Sequence, residues 1–269
     1  KEVKERKFAM SIFTLGETAT LETITIRVKD RDKMIAFYQG IVGFSLIQEE
    51  NALAMMGIKG SNKEHLWLEE SPRAYPHFGE IKKLQHYTLK VASLAEIASI
   101  YSRALKRESP VIGLTLQEDS IQLIIEDPEE NQLVIYFEPT NEAVATSEEL
   151  LKQGDETTLL TAETEITGIH LNVPNQAKAQ LFFNDILGVA ATVPFLTVTD
   201  TAGKQFMTAE DEVLGLDFLK LTMEEADLLA LEQHLIEKEQ DFYIDKKKQI
   251  LTIFDPMGIE WWFILKKNK

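Results

Sequence analysis

Two nearly identical phrases, AFYQGIVGF at Ala36–Phe44 and LFFNDILGV at Leu181–Val189, constrain this chain more than any other feature. Each sets two adjacent aromatics ahead of an Ile-aliphatic-Gly ending. Each also follows a run of alternating aliphatic residues, ITIRV before the first and IHLNV before the second. Strict alternation signals a half-buried strand, the spacing after it signals a helix, and the glycine is a helix stop. A strand-then-helix sentence written twice implies an internally duplicated fold.

The pattern extends to four copies. After ITIRV, the segment KDRDKMIAFYQGIVGF offers Asp30 or Asp32 as N-cap, Met34, Phe37, Tyr38 and Ile41 at helical spacing, and Gly43 as the stop. NALAMMGI and EHLWLEE then read as strands, which completes a βαβββ module. The second copy opens with LQHYTLKV and enters its helix through a capping box from Ser93 to Glu96. It closes with IQLIIEDPEENQLVIYFE, two strands around an Asp-Pro turn. The third is ITGIHLNVPNQAKAQLFFNDILGV, with Asn175 as N-cap and Gly188 past the helix end, followed by a hairpin around DTAGK. The fourth begins at LGLDFLKL, enters a helix through a capping box from Thr222 to Glu225, and ends with QILTIFDPMGIEWWFIL, where FDPMG takes the place of EDPEEN. The expected class is α+β: four βαβββ modules forming two half-barrel domains, 18–139 and 164–267, joined by a polar linker at 140–163 containing one short helix.

At these motifs the sequence resembles the vicinal oxygen chelate superfamily, which includes glyoxalases, bleomycin-resistance proteins and extradiol dioxygenases. Modules of that superfamily open with Leu-x-His-x-x-Leu-x-Val-x-Asp and run on into Phe-Tyr and Leu-Gly. LETITIRVKDRDKMIAFYQGIVGF matches this pattern except at the His. The stretches RVKDRDKMIAFYQGIVGFSLIQEENALA, LEESP and LNVPN further resemble the CppA family, which carries the label of a complement-component-three-degrading proteinase. The resemblance implies glyoxalase-like half-barrels over roughly residues 20 to 266. It also implies where a metal would sit, with a His from each opening strand of a domain and a Glu from the final strand. Carried over position by position, the first domain supplies Thr23, His86 and Val134, and the second Gly168, Leu216 and Trp262. One imidazole among six positions leaves no cage for a divalent ion. The resemblance therefore points to a member that has lost the metal triad and carries no cofactor.

Alternation also lists which side chains face the cavities. Ile24, Ile26 and Val28, with their counterparts in the other opening strands, belong under the helices. The opposite face carries Thr23, Thr25 and Arg27 in the first module and His86, Thr88 and Lys90 in the second. In the third it carries Gly168, His170 and Asn172, and in the fourth Leu216, Phe218 and Lys220. Expected ligand contacts in the first domain are Thr23, Thr25, Glu69, His86, Thr88, Val134 and Tyr136, with the cavity around His86 as the better site. In the second domain they are His170, Glu260 and Trp262. His86 with Glu69, and His170 with Glu260, are the pairs that would hold a divalent metal in the alternative, metal-dependent reading. Trp262 beside Phe218 reads either as an aromatic floor for a planar ligand or as core filling. Arg27 and Lys90 read as attractors for a small anion or as solvated strand ends. His65 is expected at the rim, His77 in the surface loop SPRAYPHFGE, and His234 in solvent.

The formal charge of −16, from 44 acidic against 28 basic residues, argues against nucleic acid or an anionic membrane as partner. With no Cys, thiol nucleophiles and thiolate ligands are absent. No apolar run reaches bilayer-spanning length and no secretory cleavage pattern is visible, so a cytoplasmic home is expected, with export left open because the first residue is Lys. Neither His-Glu-x-x-His nor Gly-x-Ser-x-Gly occurs, and no residue can be nominated for peptide hydrolysis. The expected role is binding of a small molecule or a protein partner, the complement component entering only through the family label. A metal-dependent lyase or dioxygenase and a proteinase stand as alternatives. The oligomeric state is not legible.

Overall fold

Each module opens with a strand whose apolar residues share one face, and that face is what the helices cover. In the computed structural model, which describes residues 13–16, 18–61, 63–75, 79–139, 144–155, 157–189, 196–204 and 213–266, the first module comprises β1 (Thr20–Val28), α1 (Arg31–Phe37), β2 (Ser45–Glu50), β3 (Leu53–Gly57) and β4 (Glu64–Glu70). The second comprises β5 (Leu84–Lys90), α2 (Leu94–Lys106), β6 (Val111–Leu116), β7 (Ile121–Glu126) and β8 (Gln132–Phe137). The linker holds the short α3 (Ser147–Leu151), entered through a capping box between Thr146 and Glu149. The third module contributes β9 (Glu165–Val173), α4 (Gln176–Leu181) and β10 (Leu196–Asp200). The fourth contributes β11 (Gly215–Met223), α5 (Glu225–Glu237), β12 (Tyr243–Ile244), β13 (Ile250–Phe254) and β14 (Glu260–Leu265). The expected inward set is buried throughout: Ile24, Ile26, Val28, Leu89, Leu171, Val173, Leu219 and Leu221 are all 0% exposed.

The repeated phrase encodes one mechanical device used twice. In both copies the α-helix widens into a single π-helical turn, at Tyr38–Val42 and at Phe182–Ile186. The N–H of Gly43 donates to the Tyr38 carbonyl at 2.9 Å, and that of Leu187 to the Phe182 carbonyl at 3.1 Å. π turns occur mostly as single turns inside α-helices. At the start of each, Phe37 and Tyr38 meet edge to face at 5.1 Å, as Phe182 and Phe183 do at 5.8 Å. Gly43 ends the first turn at φ 101°, a left-handed backbone that a side chain would strain. The carbonyls freed at the helix end are taken up by buried Arg103, which donates to Ile41 at 2.8 Å and also to Thr158 of the linker at 2.6 Å.

The Asp-Pro turns are likewise duplicated. Asp127 accepts from the backbone N–H of Glu129 and of Asn131, both at 2.9 Å, and from the Tyr38 hydroxyl at 2.8 Å. Asp255 accepts from the N–H of Met257 at 2.8 Å, of Ile259 at 2.9 Å and of the Trp261 indole at 3.2 Å. Burial pushes both carboxyls up, that of Asp255 to about 6, against the opposing pull of these donors. The first turn is thereby tied to the Tyr38 ring of the first module, and the second to the buried Trp261 of its own hairpin.

The sheets join modules that are far apart in the chain. The eight-stranded sheet runs β12-β13-β14-β11-β1-β4-β3-β2, and the six-stranded sheet runs β10-β9-β5-β8-β7-β6. The first module therefore shares its sheet with the fourth, and the second with the third. β1 lies antiparallel to β11 with Ile24 opposite Leu219, and β5 lies antiparallel to β9 with His86 opposite His170. The grouping of Thr23 with His86 and Val134 in one cavity is overturned, because consecutive modules do not pair their opening strands.

Two local expectations also change. Thr222 lies within β11, and the following helix starts after Glu224 without a side-chain cap. His234 is not simply solvated: its ring stacks on Phe13 at 4.2 Å and contacts the Asp185 carbonyl at 2.9 Å. No described helix is long and apolar enough to cross a membrane.

Removing the Tyr38 hydroxyl leaves the buried Asp127 carboxyl one donor short. Tyr38→Phe is expected to destabilise the protein by about 1–3 kcal/mol, the cost of an unmet buried acceptor. Urea titration checks this, the midpoint falling with the slope unchanged.

Candidate functional site

Pairing β1 with β11 brings four strands, β4, β1, β11 and β14, together as the base of a cavity of about 820 Å³. Its floor is aromatic. Phe218 and Trp262 stack at 4.7 Å with their planes 14° apart, and Trp67 meets Phe218 edge-on at 5.6 Å. Parallel pairing sets Phe218 beside Glu260 and Lys220 beside Trp262, so the two rings meet diagonally across neighbouring strands. The Trp262 indole N–H is buried without an acceptor among the described residues, so packing alone holds the ring. Trp261 points the other way into the core, fully buried beside Phe183 at 5.5 Å.

A charged wall stands over this floor. Arg27 Nη2 lies 2.8 Å from Asp217 Oδ1 and 3.5 Å from Glu69 Oε2. Parallel pairing of β1 with β4 sets Arg27 directly beside Glu69. Asp217 arrives by a different route. Thr25 pairs with Phe218 and Ile26 with Leu216, so Asp217 is the extra residue of a β-bulge, and it lines the cavity with both of its neighbours. Simple alternation assigns Asp217 to the opposite face, so the sequence reading missed it. The only nearby signal is Gly215, which holds φ 101° just before it.

Burial, together with a hydrogen bond to Glu69, pushes the Asp217 carboxyl up to about 6 despite the opposing Arg27 guanidinium. Lys83 reaches the cavity from the segment before β5 and donates to the Gly258 carbonyl at 3.2 Å; burial lowers its pKa.

The six-stranded sheet carries a second, more open cavity of about 560 Å³, lined by His86, Thr88, Gln122, Gln132, Val134 and Tyr136. Here His86 meets His170 from the opposite strand, with ring centroids 5.0 Å apart. His170 contacts the hydroxyl of Thr197 through Nδ1 at 2.8 Å and that of Thr199 through Nε2 at 2.6 Å. Burial lowers the pKa of both imidazoles, and the proximity of His170 lowers that of His86 further.

The sequence-predicted residues thus divide differently from expectation. Glu69, Glu260 and Trp262 share the eight-stranded cavity, while His86, Thr88, Val134 and Tyr136 line the six-stranded one. His86 and Glu69 lie on different sheets, as do His170 and Glu260, so neither expected metal pair is brought together. Among the described residues no group of three or more His, Asp or Glu is placed to hold a metal ion. Thr23 and Thr25 are fully buried; Thr23 donates to the Glu64 carbonyl at 2.5 Å, and the Thr25 hydroxyl has no partner among the described residues. Arg27 is engaged by two carboxylates and Lys90 by Glu138, so neither is a free anion attractor. His65 is not at the rim: it is 5% exposed, and burial lowers its pKa. His77 lies outside the described residues.

Comparison with known proteins settles the family. Residues 21–138 match the family described as CppA N-terminal, and residues 161–263 match CppA C-terminal. The chain belongs to the CppA family. The crystal structure of the cppA protein from Streptococcus pneumoniae TIGR4 superposes with a TM-score of 0.69 at 21% identity, over 93% of this chain and 99% of that one. A putative dioxygenase from Bacillus subtilis gives a TM-score of 0.66 at 13% identity, over 96% of this chain and 87% of that one. Glyoxalase I from Zea mays gives 0.58 at 11% identity, over 91% and 92% of the two chains. This CppA member therefore has the vicinal oxygen chelate fold, with two half-barrel-like sheets. The curated catechol-2,3-dioxygenase of Bacillus subtilis (strain 168) is 25% identical over 181 residues, 61% of this chain, and the match spans only 62% of that protein's own length.

The raised Asp217 pKa has a definite sign in stability. A carboxyl whose folded pKa exceeds its unfolded value gives stability present below the unfolded pKa and lost as pH rises through the folded one. Between about pH 4 and about pH 6 the parent loses this contribution, whereas Asp217→Asn does not. The melting temperature of the variant relative to the parent should rise across that window; a flat difference would contradict the assignment.

Proposed function

We propose that this CppA member binds a small planar molecule in the eight-stranded half-barrel and does so without a metal. The stacked Phe218–Trp262 floor beneath a cavity of about 820 Å³ is the observation that carries this reading. That volume is within the usual range for small-molecule sites, and an aromatic base with a few convergent polar groups is their common composition. The name of the curated relative, a catechol dioxygenase, favours an aromatic occupant.

Support for the metal-free part comes from the donor set. Divalent sites in this fold would need imidazole or carboxylate donors free to converge on an ion. Here Glu69 and Asp217 converge on Arg27, a cation already fixed to the chain, while Leu216 and Trp262 offer no donor. The residues present do not fit a metal, and no Lewis-acid step is assigned to them.

Proteolysis by the chain itself finds little support among the described residues. The contact closest to an activated hydroxyl is Thr199 with His170 Nε2. The other ring nitrogen meets the Thr197 hydroxyl and not a carboxylate, so nothing charges and orients the imidazole as a general base. Protein partnership remains a second reading only through the family name.

Thermal-shift screening of aromatic compounds tests the proposal. Hits should raise the melting temperature of the parent, and Trp262→Ala should abolish the shift while keeping a cooperative transition. Titration with manganese, iron(II), nickel and zinc should give no saturable stabilisation. Saturable stabilisation by one of these ions, lost in Glu69→Gln, would sink the metal-free reading.

A further inference from the structure

We infer that the occupant of the eight-stranded cavity is a planar organic cation, held between the stacked Phe218–Trp262 floor and the Glu260 carboxylate; this rests on the ligand-binding reading above. Five carboxylates line the cavity, Glu50, Glu69, Asp217, Asp255 and Glu260, against two cations, Arg27 and Lys83. The balance does not improve when each partner is traced.

Arg27 is shared by Asp217 and Glu69. The single guanidinium is thus matched by two carboxyls, so the trio has no positive charge to spare for a ligand. Lys83 is directed at the Gly258 carbonyl, and the Asp255 and Asp217 carboxyls oppose the lowering of its pKa by burial. Asp255 itself is turned into its own loop and the Trp261 indole, and is unavailable to a ligand. Glu260 lines the cavity, is partly buried and has no ion pair among the described residues.

Its position makes the compensating partner specific. Glu260 and Trp262 lie two residues apart on β14 and so share a face, and Glu260 pairs directly with Phe218 on β11. Glu260 thus lines the cavity next to the aromatic pair. A positive charge spread over a flat ring system would satisfy both elements at once, since aromatic rings attract cations and a partly buried carboxylate without an ion pair is complemented by a counter-charge. An anionic ligand would have to displace Asp217 from Arg27, and a neutral one would leave Glu260 uncompensated.

Isothermal titration calorimetry near neutral pH with three probes of similar shape separates these cases: N-methylquinolinium, neutral quinoline and 1-naphthoate. The cation should bind about tenfold more tightly than quinoline, with 1-naphthoate weakest. Glu260→Gln should bring the affinity for the cation down to that for quinoline while leaving quinoline binding within about twofold, and Trp262→Ala should weaken both. Circular dichroism melting of each variant confirms that it is folded. Quinoline or 1-naphthoate binding as tightly as the cation would overturn the charge assignment and leave the ligand-binding reading standing. A cation preference that survives Glu260→Gln would also overturn the assignment. Failure of all three probes to bind the folded parent would overturn both readings.

Discussion

The hydrogen-bonded seam between β1 and β11 is the contact on which the candidate site depends. It joins residues that are 190 positions apart in the chain at Arg27 and Asp217, and every strand of the cavity base is attached to one side of it. The β5–β9 seam does the same for the six-stranded sheet, at the cost of a shorter loop. Closing loops of this length must precede the reward of pairing, so assembly of the cavity depends on strands that meet late. The linker is tied in by the same logic, because Arg103 fastens the first π turn to the Thr158 carbonyl.

Within that frame the two cavities have diverged in chemistry. The six-stranded one is lined by His86 and mostly neutral polar groups with Glu138 at hand, and His86 meets His170 on the neighbouring strand. The eight-stranded one has a stacked aromatic pair, several carboxylates and a single guanidinium shared between two of them. Arg27 is a cation that cannot dissociate, so in the proposed reading its role is to hold Glu69 and Asp217 in place, and selectivity for a ligand falls to the rings and to the unpaired carboxylate. The fold shared with dioxygenases and glyoxalases is thus a scaffold whose local donors decide its chemistry.

Much of this could be read from the chain because period-two alternation survives wherever one strand face is buried. Ile24, Ile26, Val28 and their counterparts were legible for that reason, as were Asn175 as a cap and the equivalence of the two Asp-Pro turns. Asp217 was not legible, since a bulge inverts the alternation and leaves no mark beyond a nearby glycine. The π turns were hidden because the same spacing of aromatics fits an ordinary helix. Thr222 resembled a cap since it stands three residues ahead of Glu225, but the strand continued through it.

The sequence by itself determined the strand-and-helix modules and the buried faces of their opening strands, which follow from local patterns of apolar and polar side chains, while its quoted motifs carried the resemblance to the CppA family. Only the tertiary structure decided that the first module pairs with the fourth and the second with the third. That choice set His86 against His170 and gathered Arg27, Glu69, Asp217, Glu260 and Trp262 in one cavity. The physical reason is that an opening strand carries the same alternating code in every module, so the code specifies which face is buried but not which strand lies alongside.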